Sequence, residues 1–136
     1  MDPADLADLF RAFGAVDFRR MFGGTGLYAD GVMFALAISG ELYLKADNSF
    51  AAELETRGSA PFSYAVKGGR RRVVGSFWQV PEAALDDAED LAALARRALE
   101  VARAAAEAKA RRPAQRRAPS MRQSAGGKGG RVSKPG

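Results

Sequence analysis

The chain has 136 residues, 47% of them hydrophobic and 27% charged, a size that a single buried core can organise and that excludes most large enzyme folds. Lys and Arg total 21 against 16 Asp and Glu, a formal charge of +5. Cysteine and histidine are both absent, which removes disulfides, thiolate metal sites, a cysteine nucleophile and the commonest general base at neutral pH.

The positive excess is concentrated at the C-terminal end. From Lys109 to Gly136 the sequence holds nine cations (Lys109, Arg111, Arg112, Arg116, Arg117, Arg122, Lys128, Arg131 and Lys134) and no acid. Residues 1–108 keep twelve cations against sixteen acids, a net of −4. No run approaches the roughly 18 apolar residues of a membrane span, and the acidic opening Met1-Asp2-Pro3-Ala4-Asp5 does not suit a secretory signal. The expectation is a cytoplasmic protein with no membrane association.

Asp2-Pro3 reads as an N-cap followed by proline at the first helical position. Leu6, Leu9, Phe10 and Phe13 then recur at the spacing of a buried helix face, which Gly14 ends. Short β-rich runs follow, near 19–22, 26–29, 32–38, 41–45, 62–67 and 70–79. The dipeptides Asp30-Gly31, Ser39-Gly40 and Gly68-Gly69 sit where two-residue hairpin loops with positive φ belong. In the 32–38 run, simple alternation predicts Val32, Phe34, Leu36 and Ile38 on one face and Met33, Ala35 and Ala37 on the other. This strand is apolar on both sides and is expected in the middle of the sheet. Phe77 and Trp78 point to opposite faces, so at least one belongs to the core.

Asp47 caps an expected helix carrying Phe50 and Leu54, which stops at Gly58. After Pro81, a turn containing Leu85 leads to Asp87 as N-cap, with Asp90 in the position of a capping-box acid. A long alanine-rich helix follows with Leu91, Leu94, Ala95, Ala98 and Leu99 as its apolar stripe, running to about Ala110. The predicted organisation is an α+β domain over residues 1–108, an antiparallel sheet flanked by an N-terminal helix and a long C-terminal helix. Residues 109–136, rich in Ala, Arg, Gly and Pro, form a basic tail expected to be disordered in isolation.

Three features invite a functional reading. Met21-Phe22-Gly23-Gly24-Thr25-Gly26 is glycine-rich as phosphate-binding loops are, but Leu27-Tyr28 and a hairpin follow it rather than a helix N-terminus. A bulge or tight passage between strands is the plainer role. Lys67, Arg70, Arg71 and Arg72 surround the Gly68-Gly69 turn; such a tip can contact nucleic-acid phosphates, or simply be a solvated turn that discourages edge pairing. The nine-cation tail, Arg111, Arg112, Arg116, Arg117 and Arg122 included, should attract nucleic acid nonspecifically by counterion release. The carboxylates suit capping and solvated helix faces, so no catalytic residue, metal or cofactor is expected.

Several blocks carry a resemblance in order and spacing. They are Arg20-Met21-Phe22-Gly23-Gly24, Gly26-Leu27-Tyr28, Asp30-Gly31-Val32-Met33-Phe34, Leu42-Tyr43-Leu44-Lys45, Pro61-Phe62-Ser63-Tyr64 and Phe77-Trp78-Gln79-Val80-Pro81. Over about residues 5–104 the chain resembles the N-terminal domain of the TfoX/Sxy competence regulators. The resemblance implies a small α+β domain without catalytic residues, and a regulatory role as a coactivator working with a promoter-bound protein. Where full-length regulators continue into a second, helical domain, this sequence continues into the basic tail. The leading expectation is a noncatalytic, transcription-related module that binds a protein partner through the sheet and helices. Met21, Phe22, Gly23, Gly24, Tyr28 and Trp78 are the residues to test, and the tail adds weak nucleic-acid affinity. The alternatives are a small-molecule or anion-binding domain, enzymatic or not, using Gly23–Gly26 with Lys67 and Arg70–Arg72, and a structural homodimer.

Overall fold

In a computed structural model, which describes residues 2–21 and 23–111, the chain divides into two units, Met1–Arg103 and Ala104–Gly136. Asp2 accepts a hydrogen bond from the Ala4 amide at 3.0 Å and Pro3 takes the first position, so helix α1 (Pro3–Leu9) starts where the cap dictates. It ends earlier than the apolar spacing predicts. Phe10 is the C-cap, and the amides of Phe13 and Gly14 both turn back to the Phe10 carbonyl, at 2.9 and 3.0 Å. Those tight turns still carry Phe10 and Phe13 onto the core, because burial requires only the spacing and not a continuous helix.

Six strands follow: β1 (Asp17–Met21), β2 (Gly24–Ala29), β3 (Val32–Ile38), β4 (Glu41–Lys45), β5 (Pro61–Ala65) and β6 (Arg71–Gln79). They form one sheet in the order β1-β2-β3-β4-β6-β5, antiparallel at every pairing. The doubly apolar β3 lies in its middle, as expected. Asp30-Gly31 and Ser39-Gly40 each carry two positive φ angles, 52° and 78° in the first pair and 53° and 78° in the second, the signature of a type I′ turn. The third hairpin differs. Lys67–Gly69 forms a short 3-10 turn closed by the Val66 amide on the Arg70 carbonyl at 2.9 Å, so its loop is three residues long.

Simple alternation fails in β3. Leu27 pairs with Ala35 but Tyr28 pairs with Met33, which leaves Phe34 as an extra residue, a β-bulge. Phe34 and Ala35 are consecutive, yet both are buried in the core with Ala37. Beyond the bulge the phase reverses. Leu36 and Ile38 therefore join Met33 on the opposite face instead of following Phe34 into the core.

Asp47 accepts from the Phe50 amide at 2.9 Å and starts α2 (Asn48–Thr56); the turn holding Leu85 is a one-turn helix, α3 (Glu82–Leu85). Helix α4 (Ala88–Arg111) is capped by Asp87, which accepts from the Glu89 and Asp90 amides, each at 3.1 Å. Its residues 104–111 belong to the second unit, where Arg111 donates to Glu107 at 3.1 Å. In the first unit a single core joins Leu6 and Phe10, Phe50 and Leu54 of α2, and Leu91, Ala95, Ala98 and Leu99 of α4 to Leu27, Phe34, Leu42 and Leu44 of the sheet.

The Asp90 carboxylate does not reach back as a capping-box acid. It accepts a two-pronged bond from Arg57, at 2.6 and 3.1 Å, and Arg97 likewise grips Glu53 at 2.7 and 3.0 Å, so two ion pairs tie α2 to α4. The Arg57 bond holds the Asp90 carboxyl below its ordinary range, and the Arg97 bond does the same for Glu53. A lowered folded-state pKa adds stability above the unfolded value, about 3.9 for Asp and 4.3 for Glu, and that stability is lost as pH falls through the folded value. Asp90→Asn should therefore lower the melting temperature at pH 7, at a cost on the order of 1 kcal/mol or less. Melts recorded down the acid range should show the gap between variant and parent start to narrow below about pH 4 and close as pH falls through the lowered folded-state value; an equal gap at all pH values would contradict the pairing.

Candidate interaction surface

Residues directly opposite each other in an antiparallel pair share a face. Met21 lies opposite Gly24 and Arg19 opposite Gly26. Across the next pairing, Gly24, Gly26 and Tyr28 meet Ile38, Leu36 and Met33. Leu36 meets Tyr43 and Ile38 meets Glu41, then Tyr43 meets Gln79 and Lys45 meets Phe77. The sheet thus carries a second apolar side, turned away from the core that the helices share. A hollow of about 480 Å³ in it is lined by Met21, Met33, Leu36, Ile38, Phe62 and Tyr64, all of them strand residues.

The hollow reports strong curvature. β1 and β5 are the two outermost strands, and in a flat sheet five strand spacings, about 24 Å, would separate them. Here Met21 of β1 lines one cavity with Phe62 and Tyr64 of β5, and the Tyr43 and Phe62 rings stand edge to face at 4.9 Å. Gly26 lets the floor close. A Cβ there would lie 2.8 Å from Met33 Sδ and 2.9 Å from Met21 Cε, so the two methionine side chains lie across its bare backbone.

Cations cover two of the rings on this face, Arg19 over Tyr28 at 4.5 Å and Lys45 over Phe77 at 5.1 Å. Tyr43 and Phe77 are each 8% exposed, whereas Tyr64 is 43% exposed. Burial pushes the Tyr43 phenol above its ordinary range and Glu41 adds to this, with Gln79 and Arg71 opposing. Charge is segregated along the described chain. The strands and turns of 17–45 and 60–80 hold seven cations (Arg19, Arg20, Lys45, Lys67, Arg70, Arg71, Arg72) and three acids (Asp17, Asp30, Glu41), a net of +4. The rest of 2–111 holds seven cations and thirteen acids, a net of −6.

The residues singled out from sequence divide between the two sides. Met21, Gly24 and Tyr28 lie on the open face. Gly23 has φ +78° in the reversal from β1 to β2, and Phe22 lies outside the described residues. Trp78 packs against the core and donates its indole N–H to the Gly75 carbonyl at 3.0 Å. Neither Trp78 nor Phe77 thus presents a bare ring beside the basic hairpin. Lys67, Arg70, Arg71 and Arg72 are exposed, and Arg71 is spent partly on Ser63, donating to its hydroxyl and its carbonyl at 3.0 Å each. Gly23–Gly26 leads from strand to strand, with no helix N-terminus behind it. Arg111 ends α4, while Arg112, Arg116, Arg117 and Arg122 lie outside the described residues.

Sequence reasoning missed Met33, Leu36, Ile38, Phe62 and Tyr64 as one surface. The available signal was the surplus of large apolar residues on both sides of β3; the bulge that sorts them is a tertiary feature.

Among the described residues no group of three or more acids is placed to hold a metal ion, and no helix is long and apolar enough to cross a membrane. The fold is a mixed α+β domain, a six-stranded antiparallel sheet with a short N-terminal and a long C-terminal helix. A family model for the TfoX N-terminal domain matches residues 8–102, and the chain belongs to that family. A comparison with curated proteins gave no match.

Proposed function

We propose that this protein is a noncatalytic interaction module that docks a protein partner on its open sheet face, in a transcription-related, cytoplasmic setting. The observation that carries the reading is the hollow lined by Met21, Met33, Leu36, Ile38, Phe62 and Tyr64. An apolar concavity on a sheet that already has a full core on its other side is surface kept for binding. Membership of a family of competence-regulator-like domains supports the regulatory setting. Residues 109–136 add nonspecific nucleic-acid contact in this reading, supported by nine cations with no acid among them.

The test is affinity capture from native cell extract, with and without nuclease, using the full chain, Leu36→Gln and a chain lacking 109–136. A protein band that survives nuclease and is lost with Leu36→Gln, at unchanged melting temperature, is the expected result. A band indifferent to Leu36→Gln removes the sheet face from the function. The shortened chain should melt like the parent but lose DNA retention at low salt. If roughly half of the tail cations engage phosphates, log K for the full chain should fall with log salt at a slope of about −4.

A further inference from the structure

Resting on the docking reading above, we propose that the occupant of the open face is an acidic amphipathic segment of the partner protein, its apolar side chains in the methionine-lined hollow and its carboxylates on the basic β5–β6 end. The juxtaposition that carries this is an apolar hollow beside uncompensated cations.

The hollow takes aliphatic or aromatic side chains. Met21 and Met33 are unbranched and polarizable, lie across the bare Gly26 backbone, and can repack around inserted groups of different shape. Around it the charge is lopsided. Arg72 is exposed and lies opposite Tyr64, a lining residue, and Lys67, Arg70 and Arg71 continue the same end, with no acid anywhere from 60 to 80. Arg19 adds a cation at the Gly26 side. The acids on this face are Asp17, two residues from Arg19, and Glu41, opposite the lining residue Ile38; both lie on strands other than β5 and β6. A ligand that fills the hollow and runs toward Arg72 is favoured when it carries carboxylates there.

The same observations disfavour the other occupants. A second copy meeting face to face with the two β5–β6 ends overlapping would bring like charge against like. Single-stranded nucleic acid would suit the charge, but it binds sheets by stacking bases on open rings. Here Tyr28 is covered by Arg19, Phe77 by Lys45, and Phe62 is closed in between Tyr43 at 4.9 Å and Tyr64 at 6.0 Å, which leaves Tyr64, 43% exposed, as the open ring among these. The hollow itself is mostly aliphatic, which rewards side-chain insertion over stacking.

Methionine ε-methyl NMR on the full chain provides the test, with the Met21 and Met33 signals assigned through Met21→Leu and Met33→Leu. Four probes are titrated: a synthetic amphipathic peptide of Leu, Phe and Glu, its twin with Lys for Glu, a Glu/Ser/Gly peptide without apolar residues, and oligothymidylate. The acidic amphipathic peptide should shift the Met21 and Met33 methyls. Its affinity should fall about tenfold, about 1.4 kcal/mol, in Arg72→Glu, with the melting temperature kept. The Glu/Ser/Gly peptide and the oligonucleotide are expected to leave both methyls unmoved, even where the cationic tail binds them. Equal shifts from the Lys twin overturn the acidic assignment while leaving the face an interface. Shifts from oligothymidylate overturn it in favour of nucleic acid. Methyls unmoved by the acidic amphipathic peptide overturn it too, and the capture experiment with Leu36→Gln then decides separately whether the face binds protein at all.

Discussion

Phe34→Ala is expected to remove about 3–5 kcal/mol of folding stability, the largest single loss anticipated for this chain. Phe34 is fully buried, and its ring meets Phe10 edge to face at 5.8 Å and Phe13 at 5.0 Å, with Phe10 and Phe13 themselves 6.1 Å apart. Truncation would empty the space where α1 and its following turns are held to the sheet, and neighbours fixed by their own packing collapse only partly into such a gap. A domain of this size has about 5–15 kcal/mol in total, so the variant should sit near its unfolding transition. Urea denaturation measures it directly, and Phe34→Leu, which keeps most of the volume, should cost clearly less. A loss under about 1 kcal/mol would mean that the site collapses fully, against the expectation for close-packed cores.

Two neighbouring glycines are expected to behave oppositely. At Gly24 a Cβ would stand 2.6 Å from the Ala37 carbonyl oxygen and 2.9 Å from Ile38 Cβ, so Gly24→Ala has to push the backbone of β3 away. A cost of about 1–3 kcal/mol is expected, the range for overpacking. At Gly26 the closest obstacles are Met33 Sδ and Met21 Cε, the far ends of flexible side chains that can rotate aside, with the Tyr28 ring next at 3.1 Å. Gly26→Ala should therefore cost under about 1 kcal/mol, yet displace both methionines and change the shape of the hollow. Paired denaturation curves test the stability contrast. Partner capture by Gly26→Ala tests its second consequence, since a fold kept with binding reduced separates the glycine's role in the surface from a role in folding.

The hollow and the charge segregation give this small domain two unlike sides. One side is spent on folding, where α1, α2 and α4 share a core with the sheet and two Arg–carboxylate pairs fasten α2 to α4. The other keeps large apolar side chains that folding leaves only partly buried, and basic groups at one end. Specific recognition requires both an apolar anchor and a charge pattern that rejects wrong partners. The anchor stands here on strands, whose backbone positions are fixed by the sheet's hydrogen bonds, and the basic groups stand on β6 and the turn before it.

By itself the sequence determined the elements, because those signals are local. Asp2-Pro3, Asp47 and Asp87 satisfy the amides one turn ahead of them, and Asp30-Gly31 and Ser39-Gly40 adopt the positive φ that tight hairpins need. The family was legible for the same reason, in short blocks with fixed spacing. Tertiary structure alone decided the surface. The bulge at Phe34 exists because two consecutive residues gain more from the shared core than regular pairing would give them, and its effect is to turn Leu36 and Ile38 outward. The curl that brings Met21 to Phe62 and Tyr64 sums twist over six strands, and no single segment encodes it. Asp90 found Arg57 rather than its own helix start for a like reason, since a guanidinium 33 residues away offers a carboxylate two charge-assisted bonds.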